Sequence, residues 1–388
     1  MEPTGGTDGA RLTVAWDPRI RAYDFGAGHP FDERPRELAV GLLEGSLAPE
    51  EANRLVRSPA LEPAPRATLE RFHRSRYLDL LARADAAGDH RLLDAGDTPS
   101  FPGCLEASAR IVAATVAGLE QALAGGGPAF APGGGLHHAA PDRASGFCIL
   151  NDLAVAIALA LERGRSVAYV DLDAHHGDGV MYGFYGNGRV LDVDFHQDGR
   201  TLFPGTGAVA ESGSGDGAGT KVNVPLPPGS GDEALVPLAR RLLPPLLETF
   251  DPGLVVVQHG VDGHWGDPLA QLQYTPHGYA EVDRLLVAWA AERRRPVLWT
   301  GGGGYRPASV ARVLARSARL AAGLPLPPDD AELPAGWRAG FAASLGTEAP
   351  ARWVDPPRLA RSRWSREEED RLAAALGAAL GRRFPRVA

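Results

Sequence analysis

Short apolar segments that alternate with longer helical patterns are the feature that most constrains the fold of this chain. Segments such as SVAYVDLD, GLVVVQHG and PVLWTGGGG are apolar on both faces, as strands must be when helices cover both sides of a parallel sheet. The predicted strands are Leu12–Trp16, Ser166–Asp171, Val190–Phe195, Leu254–Gln258 and Pro296–Thr300. The helical patterns between them are Cys104–Leu123, Asp152–Arg163, Asp232–Phe250 and Pro276–Glu292. This alternation predicts an α/β fold, a single large domain with a mostly parallel β-sheet flanked by helices.

The chain of 388 residues changes character near its C-terminus. After Ala322 the alternation gives way to a proline-rich connector and a last amphipathic helix near Arg366–Leu380. We therefore expect a main domain over residues 1–322 and a C-terminal segment over residues 323–388 that packs on the same domain. Residues 205–220 have the sequence GTGAVAESGSGDGAGT. This segment is so rich in glycine and serine that we expect it not to pack and predict a mobile surface loop.

Composition excludes several classes of protein. Hydrophobic residues make up 44% of the chain and charged residues 23%, which is typical of a globular protein. The net charge is −8 and no basic stripe is present, so nucleic acid is not an expected partner. Cys104 and Cys148 allow at most one disulfide, which favours a reducing compartment. With no secretory signal and no apolar run of about 18 residues, we expect a cytoplasmic protein without a membrane partner.

Polar residues follow three of the predicted strands directly. The first strand runs into DLDAHH from Asp171, the second into QHGVD from Gln258, and the third into TGGGGY from Thr300. Ligands of open α/β sheets bind beyond the carboxyl ends of the strands. The three strand ends therefore predict one functional site.

Asp173 and His175 are the first candidate metal ligands. Residues two apart in extended backbone face the same side, so both side chains can approach one ion. Asp262, from the second strand end, would complete a set of three ligands and leave positions open for water and substrate, as in a catalytic zinc site. The same donors suit Fe(II), Mn(II) or Co(II), so the sequence leaves the metal open. Helix capping by Asp171 and Asp173 is the alternative, and the second strand end makes it the weaker one.

A second motif is the string GGGLHH, which places His137 and His138 on a loop after a glycine run. A single histidine is more often structural than catalytic. Two adjacent histidines, with aspartates available to orient them, fit a His–Asp general base.

Together these strings resemble the histone deacetylase family, and within it the bacterial acetoin-utilisation deacetylases. The similar strings occur in the family's order and extend over roughly residues 12–320 of the chain. They are YDFGAGHPF (residues 23–31), GDTPSFPG (96–103), GGGLHHAAPDRASGFCILND (133–152), VDLDAHHGDGV (170–180), LFPGTG (202–207), GVDGHWGDPLAQL (260–272) and GGGGY (301–305). The resemblance implies an arginase/deacetylase-like fold, with the catalytic domain over residues 1–322.

The resemblance also implies metal sites. Its zinc ligands would be Asp173, His175 and Asp262, and Fe(II) could replace zinc. A structural potassium ion would lie beside them, and the residues at the matching positions are Asp171, Asp173, His175, Asp194 and Phe195.

Catalytic roles follow from the same resemblance. His138 matches the general base and Asp178 its partner, whereas His137 matches a second histidine oriented by Asp171. Tyr305 matches the tyrosine that donates a hydrogen bond to the acetyl carbonyl.

The implied activity is zinc-dependent hydrolysis of N6-acetyl-lysine in proteins to lysine and acetate. Phe147 and Phe203 match the aromatic walls of the acyl-lysine tunnel, Gly146 adjoins the first wall, and Asp97 matches the carboxylate that holds the substrate backbone. The bacterial relatives suggest metabolic enzymes as substrates, acetyl-CoA synthetase in particular. The resemblance gives no role to His259, and neither the residues nor the resemblance fix the oligomeric state.

Three other functions compete with this one. An arginase-like two-metal site needs a carboxylate at position 177, which is Gly177, while Asp178 falls one residue late. A catalytically inactive acyl-lysine-binding protein would lack Tyr305, a metal ligand or a histidine, and all are present. An acetylpolyamine amidohydrolase would use the same chemistry on a small cationic substrate, and the sequence leaves this alternative open.

Overall fold

One parallel sheet dominates the computed structural model, which describes residues 11–88, 90–94, 96–125, 127–355, 364–381 and 383–386. Within these ranges the strands are β1 (Leu12–Val14), β2 (Leu55–Arg57), β3 (Ala129–Ala131), β4 (Val167–Asp171), β5 (Val190–Gln197), β6 (Lys221–Leu226), β7 (Leu254–Gln258) and β8 (Val297–Thr300). The helices are α1 (Arg34–Gly45), α2 (Arg66–Leu69), α3 (Ser75–Ala87), α4 (Cys104–Leu123), α5 (Asp152–Glu162), α6 (Asp178–Gly183), α7 (Asp232–Phe250), α8 (Pro276–Arg293), α9 (Pro307–Ala321), α10 (Ala335–Leu345) and α11 (Arg366–Leu380).

The strand order is β2-β1-β3-β8-β7-β4-β5-β6, and every pair is parallel. Every residue of β4, β5, β7 and β8 is buried, because helices cover both faces of the sheet. The predicted α/β fold with a parallel sheet is therefore confirmed. From β4 the chain continues to β5 and β6 on one side and later returns through β7 on the other. The strand order thus reverses between β4 and β7, which is where open α/β sheets form a ligand crevice.

The expectation that residues 205–220 do not pack is wrong. The segment contains a short 3-10 turn at Gly215–Gly217, and its backbone is held by hydrogen bonds from Ser214 N to Tyr185 O and from Gly217 N to Gly186 O, each 3.1 Å long. Gly217 is buried because it lacks a side chain: a Cβ there would lie 2.5 Å from Tyr185 O. The glycines that suggested a free loop are the residues that let it pack closely.

Residues after Ala322 contact the rest of the chain in several places. On α10, Trp337 Nε1 donates a hydrogen bond of 2.8 Å to Leu38 O on α1. Beyond α11, Phe384 is buried and Arg383 Nη1 donates to Asp216 O over 2.8 Å. We propose from these contacts that residues 323–388 belong to the same domain as residues 1–322. No helix in the described ranges is long and apolar enough to cross a membrane.

Candidate active site

Asp173, His175 and Asp262 meet at the carboxyl ends of β4 and β7. His175 Nδ1 lies 2.8 Å from Asp262 Oδ2 and 3.2 Å from Asp173 Oδ1. All three side chains are buried, and their candidate ligand atoms lie within 4.8 Å of one another. Among the described residues, no other group of three His, Cys, Asp or Glu side chains meets this criterion. The strand ends bring these three together as the sequence predicts.

Glycines and backbone amides hold the two carboxylates in place. Gly303 N and Gln258 Nε2 each donate a hydrogen bond of 2.7 Å to Asp173 Oδ2. A Cβ at Gly260 would overlap the Asp173 carboxylate, and a Cβ at Gly303 would overlap that of Asp262. The glycines in GVD and GGGGY therefore allow the backbone to approach both carboxylates closely.

The charges of this cluster suit a bound cation. Burial raises the pKa of Asp262 above its usual range, and the neighbouring Asp173 carboxylate adds to that shift. Burial opposes a positive charge on His175, but hydrogen bonds to Asp173 and Asp262 raise its pKa to about 10. Two adjacent buried carboxylates with an imidazole are a donor set for a divalent metal, and three protein ligands leave coordination positions open. The residues present therefore fit a catalytic metal ion.

His137 and His138 form a hydrogen-bonded pair beside this cluster. His137 Nδ1 lies 2.8 Å from Asp171 Oδ2, His138 Nδ1 lies 2.7 Å from Asp178 Oδ1, and the two Nε2 atoms are 3.0 Å apart. Each Nδ1 faces a carboxylate and so carries a proton. One Nε2 must then donate to the other, which makes one ring an imidazolium and leaves its neighbour neutral.

The electrostatic environment decides which ring is charged. Burial opposes charge on His137, but the carboxylates of Asp171 and Asp173 raise its pKa to about 10. Burial and the positive charge of His137 together lower the pKa of His138 to about 4, although Asp178 acts in the opposite direction. At neutral pH, His137 is therefore the charged ring and His138 the neutral one.

Aromatic rings surround the approach to these groups. The Phe203 ring centroid lies 5.2 Å from that of His138, and the Tyr305 centroid lies 6.5 Å from that of His175 and 5.9 Å from that of Phe147. Phe203 is 49% exposed, so it stands at the mouth, while Phe147 is half-buried. Beneath them is a cavity of about 20 Å³ whose lining includes His138, His175 and Tyr305.

Gly146 separates two of these rings. A Cβ at Gly146 would lie 2.5 Å from His138 Cδ2 and 2.8 Å from Phe203 Cε1. The loop that carries Asp97 adjoins Phe147, because Phe147 N donates a hydrogen bond of 2.9 Å to Thr98 Oγ1. Asp97 itself is exposed. The structure thus places Gly146 in the lining of the cavity, and Phe147 and Phe203 beside rings that line it, while the loop of Asp97 adjoins Phe147.

The residues at the matching potassium positions lie at the end of β4, in the turn that follows it, and within β5. Asp171 and Asp194 are register partners in the two strands. Asp194 Oδ2 accepts a hydrogen bond of 2.7 Å from Gly177 N, and Asp171 Oδ1 accepts one of 3.0 Å from Asp173 N. Phe195 follows Asp194 in the fully buried β5.

Comparison with known proteins identifies the relatives of this site. The family model described as the histone deacetylase domain matches residues 29–321. The chain belongs to the histone deacetylase family. The sequence-based predictions of family and enzyme class, an amidohydrolase, are thereby confirmed.

Individual histone deacetylase relatives cover most of the chain. Acetoin utilization protein AcuC of Bacillus subtilis (strain 168) is 34% identical over 358 residues, which are 89% of this chain and 90% of AcuC. Histone deacetylase 1 of Oryza sativa subsp. japonica is 34% identical over 321 residues, 80% of this chain and 60% of that protein. Histone deacetylase 8 of Xenopus tropicalis is 38% identical over 248 residues, 62% of this chain and 66% of that protein.

Sequence reasoning missed two side chains that hold the histone deacetylase site together. Gln258 bridges β7 to the Asp173 carboxylate. The hydroxyl of Tyr169 donates a hydrogen bond to Asp171 Oδ2, the same oxygen that faces His137. Tyr169 precedes Asp171 by two residues, so the two-residue period of β4 could have placed it on the same face.

Proposed function

We propose that this protein is a metal-dependent lysine deacetylase that hydrolyses N6-acetyl-lysine in proteins to lysine and acetate. The observation that carries the proposal is the closeness of a buried Asp–His–Asp cluster to a hydrogen-bonded histidine pair, each ring of which faces a carboxylate. The named histone deacetylase and AcuC relatives support the same class of reaction.

Asp173, His175 and Asp262 would hold the catalytic metal, for which we propose zinc, with Fe(II) as the alternative. When bound there, the ion would act as a Lewis acid on the acetyl carbonyl and lower the pKa of a water molecule towards about 7. We also propose that Asp171, Asp173, His175, Asp194 and Phe195 hold a structural potassium ion, since the three aspartates among them offer buried carboxylate oxygens to a hard cation.

We propose His138 as the general base and His137 as its charged partner. The neutral His138 would take the proton from the attacking water at Nε2, so the hydrogen bond that this nitrogen accepts from His137 has to break first, while Asp178 stabilises the imidazolium that forms. The positive charge of His137, whose Nε2 lies 3.0 Å away, makes that imidazolium acidic. His138 would therefore give its proton readily to the departing lysine amine.

Tyr305 would donate a hydrogen bond to the carbonyl oxygen as negative charge builds up on it. Burial raises the pKa of Tyr305 well above 10, so its hydroxyl stays protonated at neutral pH. Phe147 and Phe203 would enclose the apolar stem of the acyl-lysine and exclude water. Asp97, exposed at the edge, would accept hydrogen bonds from the substrate backbone.

The protein substrate we propose is a metabolic enzyme such as acetyl-CoA synthetase. The match to AcuC, which is named an acetoin utilization protein, covers about nine tenths of both chains and supports this choice. An acetate-release assay tests the substrate class: acetyl-lysine peptides are compared with acetylated polyamines at equal concentration. Faster hydrolysis of the peptides supports the proposal. Hydrolysis of the polyamines alone would instead identify an acetylpolyamine amidohydrolase.

A further inference from the structure

Lys221, the only lysine among the 40 Lys and Arg residues, is buried at the start of β6. Its side chain is 1% exposed, and its Nζ donates hydrogen bonds to Val190 O (2.7 Å), Thr220 Oγ1 (2.8 Å) and Asn187 O (3.4 Å). Thr220 Oγ1 donates its own hydrogen to Gly217 O over 2.8 Å, so its lone pairs are left for the ammonium. The ammonium therefore lies in a cage of neutral oxygen acceptors.

Buried carboxylates share the face of the sheet with this cage. Lys221 is the register partner of Asp192 on β5, and Asp192 is the register partner of Tyr169 on β4. One step further along the same face, Asp171 lies beside Asp194. Both carboxylate oxygens of Asp192 are buried without a hydrogen-bond partner among the described residues. Burial and the neighbouring Asp194 carboxylate raise the pKa of Asp192, and the positive charge of Lys221 opposes that shift. Lys221 is therefore the cation that the strand register places beside Asp192.

Burial lowers the pKa of Lys221 to about 8, and Asp192 opposes that shift. The group is thus an ammonium at neutral pH. Arg383 is another cation near Lys221, but its guanidinium is exposed and donates to Asp216 O, Ala218 O and Gly188 O instead. The positive charge that contacts the cage oxygens is therefore the ammonium of Lys221.

We propose that the Lys221 ammonium is a tethered cation that fills an oxygen-lined monovalent-cation site, in place of a dissociable ion. Backbone carbonyl and hydroxyl oxygens are the donors that hard cations take, and an ammonium carries the same single charge. This site is separate from the one proposed at Asp171 and Asp194, and it does not rest on the deacetylase activity. The proposal has a testable consequence. If the ammonium is removed and its space is left open, the protein should bind a free monovalent cation there.

Two variants test this consequence. Lys221→Ala removes the charge and leaves the space, whereas Lys221→Met removes the charge but fills most of the space with an apolar chain. The melting temperature of each is measured in KCl, NH₄Cl and choline chloride at one ionic strength, with the unchanged protein in parallel to account for any potassium ion bound elsewhere. Both variants are expected to melt at least about 5 °C lower than the unchanged protein in choline chloride, because buried partners lose their cation.

The proposal is supported if potassium or ammonium raises the melting temperature of Lys221→Ala by more than it raises that of the unchanged protein. Lys221→Met should show no such additional rise. An equal response of all three proteins to the salts would overturn it. If neither variant folds, labelling the unchanged protein with ¹⁵N-lysine gives a single side-chain signal, since the chain has one lysine. A slowly exchanging ammonium resonance supports the cage, and rapid exchange or reaction with an amine reagent in the folded protein would contradict it.

Discussion

The carboxylate of Asp178 should matter to the rate through the charge that it presents to His138. Asp178→Asn keeps the size of the side chain and an oxygen acceptor for His138 Nδ1, now 2.7 Å from Asp178 Oδ1, but removes the negative charge. That charge raises the pKa of His138 against the effects of burial and of His137. The variant should therefore contain a weaker base in an unchanged position.

The size of the effect follows from this one interaction. A hydrogen bond to a charged group contributes about 1.5–3 kcal/mol, and about 1.4 kcal/mol corresponds to a tenfold change in rate. We expect kcat/KM for an acetyl-lysine peptide to fall about 10- to 100-fold. Because the pKa of His138 is already about 4 and the change lowers it further, His138 is neutral at assay pH in both proteins. The loss should therefore be the same at every pH between about 6 and 8.

The assay is kcat/KM for acetate release across this pH range, with the metal content measured on the same samples. Asp142→Asn is the matched control, since Asp142 pairs with Arg76 Nη2 over 2.9 Å at the surface, and such pairs contribute little. An unchanged rate in Asp178→Asn, or a loss that disappears at high pH, would refute the role of Asp178 as partner of a neutral base.

Three further substitutions separate the parts of the site. Tyr305→Phe should lower kcat about 10²–10³-fold, because one donor to the developing oxyanion is lost, while metal analysis should find the same metal content. Asp262→Ala should lose bound metal together with activity, since one of three protein ligands is gone; full metal content in the purified variant would contradict the ligand set. Phe203→Ala should raise the rate on longer acyl groups relative to acetyl in a competition assay, because it opens the mouth, and an unchanged acyl preference would contradict the tunnel.

The central part of the sheet could be predicted from the sequence because its strands are covered on both faces. β4, β7 and β8 are apolar runs with polar ends, whereas β5 alternates apolar and polar residues, and each of the four begins and ends within two residues of its predicted bounds. The helices α4, α7 and α11 have the predicted bounds. Other strands were missed for physical reasons: β2 and β3 have only three residues each, too few to show a period. β6, KVNVPL, contains a lysine, an asparagine and a proline, and pairing with β5 stabilises it as a strand.

The candidate site, like the sheet, has features that could be predicted from the sequence and features that could not. The two-residue spacing of Asp173 and His175 after a strand predicted that their side chains point to the same side. Asp262 joins them because β7 lies beside β4 in the sheet. The contact between the two Nε2 atoms of His137 and His138 depends on the path of a loop, which no periodicity encodes. The surroundings of Lys221 were hidden for a similar reason, because backbone carbonyls that form a cage leave no mark in the sequence.

The most direct test of the account is the number of metal ions needed for activity. The protein is freed of metal with a chelator and then titrated with Zn²⁺ or Fe²⁺ while acetate release from an acetyl-lysine peptide is followed. The account predicts no activity in the metal-free protein and a linear recovery that ends at one ion per chain, as expected for a single Asp–His–Asp site. Full activity without metal, or a recovery that requires two ions per chain, would contradict it.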